Sequence, residues 1–218
     1  MSISNGVKVI YEDENIQVVD KPAGIVTDDI PKRVHRLDKD TSGILLIAKN
    51  DETLEFLQKQ FQERKVEKKY IALVVGNLKK ERGEIKTLLG RSPKDRRKQK
   101  VFLPREPGAE GKREATTEYK VLQRFNDYTL VEARPQQGRK HQIRTHLAYL
   151  DHPVAGDKLY GFKNQSRPTG LTRQFLHASY LKIRLPDGKI KPTIHTREFR
   201  SDLPEDLKGV LKILNVKC

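Results

Sequence analysis

The 218 residues contain one cysteine, one methionine and no tryptophan. The cysteine is Cys218, the last residue, which excludes intramolecular disulfides and cysteine-based zinc centres and fits a reducing setting. No apolar run reaches the roughly 18 residues needed to cross a bilayer. The start, Met1-Ser2-Ile3-Ser4-Asn5-Gly6, lacks the basic and apolar regions of a signal peptide. A cytoplasmic protein with no membrane partner is therefore expected. There is no His-Glu-x-x-His, no Walker-type phosphate loop and no Gly-x-Gly-x-x-Gly. His141 and His146, five apart, fall on different faces of a helix, which is poor spacing for one metal ion. No metal and no cofactor are expected.

Positive charge is abundant instead: 44 Lys and Arg against 29 Asp and Glu, a formal net charge of +15. That excess favours a polyanionic partner, most simply RNA or DNA. It is densest over Arg91-Ser92-Pro93-Lys94-Asp95-Arg96-Arg97-Lys98-Gln99-Lys100, six basic residues against one acid. With Pro104, Pro107, Gly108 and Gly111 following, residues 91–112 are expected to form a mobile basic excursion outside the core. Such a run is either a solvated surface or a contact for RNA through Arg91, Arg96, Arg97 and Lys98.

The length suits a single domain over 1–218 with this excursion inserted. Short strands are expected at Val7–Tyr11, Ile16–Val19, Ile44–Ala48, Lys68–Gly76 and Gly83–Leu89. Asn50 can cap a helix that opens on Asp51 and Glu52, with Leu54, Leu57 and Phe61 facing the core. Thr116–Phe125 and Tyr128–Ala133 read as a hairpin around Asn126-Asp127. Residues 139–150 read as a helix whose Ile143, Leu147 and Leu150 share one face, leaving Arg144 on a face directed away from the core. Phe175–Leu185 and Thr193–Phe199 are late strands, and Pro204–Leu214 a closing helix.

Without cofactor or metal, chemistry falls to side chains. Asp38 stands in His35-Arg36-Leu37-Asp38-Lys39-Asp40-Thr41-Ser42-Gly43, before the apolar run Ile44-Leu45-Leu46-Ile47-Ala48. Neighbouring arginine favours the charged form of a carboxylate, which suits a nucleophile or base. Tyr70 and Arg144 are the other candidates. Each also has a plainer reading: a loop ion pair for Asp38, a strand aromatic for Tyr70, a surface charge for Arg144.

The Asp38 block resembles the signature of the RluA family of RNA pseudouridine synthases. The family's other blocks follow in order: Lys21-Pro22-Ala23-Gly24 upstream, Lys69-Tyr70-Ile71-Ala72, Gly90-Arg91-Ser92-Pro93, Gly138 to Leu147, His152-Pro153-Val154-Ala155-Gly156-Asp157 and Leu176-His177-Ala178. The resemblance covers about residues 7 to 215. It implies an α+β fold, a mixed and mainly antiparallel sheet flanked by helices and loops. It implies an enzyme that isomerises a uridine in structured RNA, rRNA or tRNA, to pseudouridine.

Carried over by position, Asp38 is the catalytic nucleophile or base, and Tyr70 stacks on the target base and is available to take the C5 proton. Arg144 pairs with the catalytic carboxylate, and Arg36 fills the stack when the uridine flips out. Ile143 and Leu176 line the pocket. Many relatives carry an N-terminal module resembling a domain of ribosomal protein S4; none is expected here, so recognition would rest on the catalytic domain. A monomer without an obligate protein partner is expected. The competing reading is a non-catalytic RNA-binding or RNA-remodelling protein on the same fold, with a metal-dependent nuclease a distant third.

Overall fold

The computed structural model describes residues 7–165, 167–187 and 193–216. Cys218 and the Met1–Gly6 segment lie outside the described residues. The chain divides into two compact units, residues 1–69 with 177–203, and residues 70–176 with 204–218.

In the first unit the strands β1 (Lys8–Glu12), β2 (Ile16–Lys21) and β3 (Ser42–Ala48) pair antiparallel in sequence order. Every residue of β3 is buried, which its unbroken apolar run dictates. Its start pairs in parallel with β9 (Leu176–Asp187) through Ser42–His177 and Gly43–Ala178, and β10 (Thr193–Arg200) pairs antiparallel with β9. Helix α1 (Asp51–Gln62) is capped as expected: Asn50 Oδ1 accepts from Thr53 N at 2.8 Å. Its Leu57 is fully buried against Ile16, Val18, Ile44 and Leu46, with Leu54 and Phe61 beside it. The polar Gln60, also buried, exchanges two hydrogen bonds with the Arg184 backbone.

The second unit is built on β4 (Glu67–Val75), β5 (Arg82–Arg91), β6 (Gln99–Phe102), β7 (Arg113–Arg124) and β8 (Tyr128–Pro135). From Tyr70 onward β4 pairs with β8, then the order runs β7, β5, β6, all antiparallel. The β7–β8 hairpin closes at Asn126-Asp127 as read, with Phe125 N donating to Tyr128 O. Helices α2 (Gln142–Tyr149) and α3 (Glu205–Val216) complete it. The mixed, mainly antiparallel α+β architecture agrees with the expected fold class.

One local expectation fails. Residues 91–112 are not a coreless excursion, because Gln99–Phe102 form β6 against Leu88–Arg91 and bury Val101 and Phe102. A four-residue strand between charges and prolines carries too little pattern of its own; the paired edge of β5 supplies the rest.

Candidate active site

Contacts from Lys21 and Thr27, with a turn bond of its own, hold the loop that carries Asp38. Val34 and Leu37 are buried, at 6% and 4% exposure, and anchor the side of the loop that leads into Asp38. Flanking Leu37, Asp38 is half-buried and Arg36 exposed. Thr27 Oγ1 donates to the Leu37 carbonyl at 2.9 Å, and Thr41 N to the Asp38 carbonyl at 3.0 Å. Below the loop lies Lys21, a lysine only 1% exposed, whose Nζ donates to the carbonyls of Pro22, Ile25 and Lys39 at 2.9, 3.1 and 3.1 Å. A buried ammonium is tolerated only when its protons find such acceptors, so Lys21 ties the two turns together.

The loop ends at Gly43, with φ +113° and Ala178 at its pairing position. A Cβ there would collide with the Ala178 carbonyl and lie 2.7 Å from its nitrogen. Beside it, Ser42 Oγ lies 3.0 Å from His177 Nδ1, and His177 Nε2 lies 3.1 Å from the Ser201 carbonyl. A carbonyl can only accept, so Nε2 carries a proton, and with the ring neutral Ser42 donates to Nδ1. This buried pair fixes β3 to β9 and is spent on structure.

At the other end, the His35 ring stacks on Phe61 at 4.9 Å and its Nε2 accepts from Leu46 N at 3.2 Å. Burial, helped by the charge of Lys68, pushes the His35 pKa down to about 3, so it is neutral here. Burial likewise lowers Lys68 to about 8; its Nζ lies 5.6 Å from the Phe61 ring centre. Arg36 makes a surface ion pair with Asp28 at 3.3 Å, both side chains about half exposed. Such pairs are weak, of the order of 0–1 kcal/mol, so Arg36 is available for exchange to another anion.

The second unit holds the other candidates. Tyr70, half-buried and paired with Ala133 across β4–β8, packs against a cluster containing Ile143, Leu147, Val154 and Leu176. Three of the expected site residues, Tyr70, Ile143 and Leu176, are thus brought together. Arg144 follows Ile143 on α2, and here the helical-wheel expectation is corrected: the side chain is buried, at 7% exposure, not directed to solvent. Its Nε and Nη2 donate to Asp157 Oδ2 and Oδ1 at 2.7 and 2.9 Å, a bidentate pair. Asp157 Oδ1 also accepts from the backbone nitrogens of Leu159 and Tyr160. Burial alone would raise the Asp157 carboxyl, but the Arg144 hydrogen bonds and charge outweigh it and hold it below the ordinary carboxylate range.

The Arg144 guanidinium carbon lies 5.1 Å from the Tyr160 ring centre. Tyr160 Oη in turn accepts from Gln99 N at 2.7 Å and lies 2.9 Å from His141 Nδ1. His141 opens α2 in the left-handed region, φ +54°. One turn later His146, fully buried, sits between the hydroxyls of Thr87 and Thr117, and burial lowers its pKa to about 4. Neither Asp157 nor Tyr160 is singled out by sequence reasoning. The Asp–Arg spacing of thirteen residues has no helical or strand period, so only the loop's three-dimensional course reveals it.

In the basic stretch, Arg91, Arg96 and Arg97 are exposed and Lys98 half-buried, and Ser92 N donates to the Lys98 carbonyl at 3.0 Å. Arg97 is engaged by Asp95 through two side-chain hydrogen bonds of 3.0 and 2.9 Å, which push the Asp95 carboxyl down to about 2. Among the described residues no group of three or more His, Cys, Asp or Glu side chains gathers to hold a metal, and no helix is long and apolar enough to cross a membrane.

Residues 25–149 match the family model of RNA pseudouridylate synthases. An uncharacterized RNA pseudouridine synthase of Aquifex aeolicus is 42% identical over 194 residues, covering 76% of this chain and 59% of that one. Ribosomal large subunit pseudouridine synthase C of Vibrio vulnificus is 34% identical over 229 residues, covering 94% of this chain and 69% of that one. The solved structure of human RNA pseudouridylate synthase domain containing 1 superposes with a TM-score of 0.73 at 26% identity, over 99% of this chain and 96% of that one. The chain spans under two thirds of the Aquifex protein's length. With the matched segment running from just after the Lys21 turn through the Asp38 loop to the end of α2, the chain belongs to the RluA family of RNA pseudouridylate synthases.

Proposed function

We propose that this protein isomerises a uridine of structured RNA to pseudouridine. The sugar bond to N1 breaks, the base rotates, C5 joins the sugar, and the hydrogen that C5 gives up is released as a proton while N1 takes one. Asp38 acts as the nucleophile or base. Tyr70 stacks on the base and receives the C5 proton, and Arg144 is the cation that serves the catalytic carboxylate. Ile143 and Leu176 form the apolar wall beside Tyr70, and Arg36 fills the gap left by the flipped base. Unstacking a base costs a few kcal/mol, least in a loop where stacking is already incomplete. Phosphate contacts from the basic stretch offset it. The observation that carries this reading is the Asp38 loop: a half-buried carboxylate whose backbone is held by Lys21, Thr27 and Thr41 rather than left free. Such a frame serves chemistry at Asp38, whereas a binding module has no need of a fixed carboxylate facing phosphates.

Relatives named for the ribosomal large subunit make its RNA the first substrate to try. A transcript of bacterial large-subunit ribosomal RNA carrying tritium at uridine C5 reports the reaction directly, because C5 loses its hydrogen on joining the sugar. Asp38→Asn should lower release by more than about 10³-fold while RNA binding and melting temperature stay near wild type. Retained release in that variant would sink the role of Asp38. Binding without release by the wild-type protein, on this RNA and on transfer RNA alike, would favour the RNA-remodelling reading.

A further inference from the structure

We infer that Asp157 and Tyr160 are positioning residues for the reaction, holding the Arg144 guanidinium in one orientation and tying it to the basic β5–β6 hairpin. This rests on the proposed function of Arg144. The argument begins with the side chain's freedom. An arginine on an eight-residue helix has four rotatable bonds and would normally keep its charge in water. Here it is 7% exposed, and two different contacts define its plane. Asp157 grips Nε and Nη2 at 2.7 and 2.9 Å, fixing the edge of the guanidinium. Tyr160 lies against it with 5.1 Å between guanidinium carbon and ring centre. The edge that Asp157 grips is fixed, so the remaining edge of the guanidinium can point in only one direction.

Both gripping residues are themselves held. Oδ1 of Asp157 accepts two backbone N–H bonds, at 2.9 and 3.0 Å, from Leu159 and Tyr160, so the carboxylate cannot rotate without breaking them. The Tyr160 hydroxyl accepts the N–H of Gln99, the first residue of β6, at 2.7 Å. It also meets His141 Nδ1, whose left-handed backbone starts α2. Tyr160 therefore joins the strand next to Arg96, Arg97 and Lys98 to the helix of Arg144 in one hydrogen-bonded frame. A structural ion pair would need only the Asp157–Arg144 bonds; the stacked phenol bonded to the basic hairpin is what a positioning device adds.

The test compares single-turnover rate constants with enzyme in saturating excess over the tritiated large-subunit transcript. Under those conditions the rate constant does not depend on the fraction of protein that is folded, so a merely structural loss leaves it unchanged. Asp157→Asn should slow it about 10²-fold, the cost of misplacing a group by about 1 Å. The charge-restoring Asp157→Glu should recover part of that loss. Tyr160→Phe keeps the ring and the fold but removes the Gln99 and His141 contacts, and should slow the step roughly three- to tenfold. Wild-type rate constants in both Asp157→Asn and Tyr160→Phe, with Arg144→Ala inactive, would overturn the positioning role while leaving that of Arg144 intact. An active Arg144→Ala would overturn both.

Discussion

The Asp38 loop and the basic stretch 91–112 look alike in sequence, both charged and both punctuated by glycine, yet they are held in opposite ways. The Asp38 loop takes its bonds from afar: Lys21 Nζ and Gly24 N on the Lys39 carbonyl, Thr27 on the Leu37 carbonyl, and β9 at Gly43. In the basic stretch, residues 99–102 are zipped to β5 and bonded to Tyr160, but the residues that follow close on their own neighbours. Glu106, Ala109 and Lys112 each donate their N–H to a carbonyl three residues back, and Lys100 pairs with Glu106 at 2.9 Å. A loop fixed by long-range contacts is pre-organised at the cost of chain entropy, which suits a group that must be in place before the substrate arrives. Turns closed by near neighbours cost less loop entropy to form.

The largest effect expected to separate the two is at their glycines. Gly43→Ala must adopt φ +113° and push against the Ala178 backbone, and should cost about 4 kcal/mol or prevent folding. Gly111 also has positive φ, +68°, but a Cβ there meets nothing within 4 Å, so Gly111→Ala should cost only about 1 kcal/mol. Urea denaturation of the two variants measures both. Equal losses would mean that the Asp38 loop is no more constrained than the hairpin.

Sequence reasoning reached different depths in these regions, for physical reasons. The Asn50 cap, Leu57 and the Asn126-Asp127 turn were legible because each depends on residues a few positions apart. Tyr70, Ile143 and Leu176 entered as site residues through the family resemblance alone, and the structure places all three in one apolar cluster. The burial of Arg144 was not legible, since a helical wheel knows nothing of the carboxylate that Asp157 brings from the following loop. Strand β6 escaped for the same reason, being defined by its partner β5 more than by Gln99-Lys100-Val101-Phe102.

A smaller difference lies in acid sensitivity. His35, beside the Asp38 loop, is neutral when folded because burial takes its pKa from 6.5 to about 3. The unfolded chain binds a proton below about 6.5 that the folded chain refuses. Stability is therefore intact above pH 6.5 and is lost as pH falls toward 3, by up to about 1.4 kcal/mol per pH unit. His146, lowered to about 4, adds a second such loss over 6.5 to 4. The stretch 91–112 contains no histidine. His35→Phe, which keeps a ring against Phe61, should reduce the slope of unfolding free energy against pH between 6 and 5 by about one proton. An unchanged slope would mean that the His35 ring is wet enough to titrate normally.

The smallest expected effect concerns the basic stretch alone. Each phosphate contact given up lowers the slope of log K against log salt by about 0.7 on single-stranded RNA and about 0.9 on a duplex. Neutralising Arg96, Arg97 and Lys98 together would remove three such contacts if all were equivalent. They are not, because Arg97 is already engaged by Asp95, whose carboxyl is held at about 2 and stays ionised through any working pH. That pair presents little net charge to a phosphate and releases few counterions on binding. The triple variant should therefore flatten the slope by about two contacts rather than three, with Arg97→Gln alone contributing least. A full three-contact change would show that RNA displaces Asp95 from Arg97. No change at all would return the stretch to a solvated surface and leave the Asp38 loop as the region committed to the substrate.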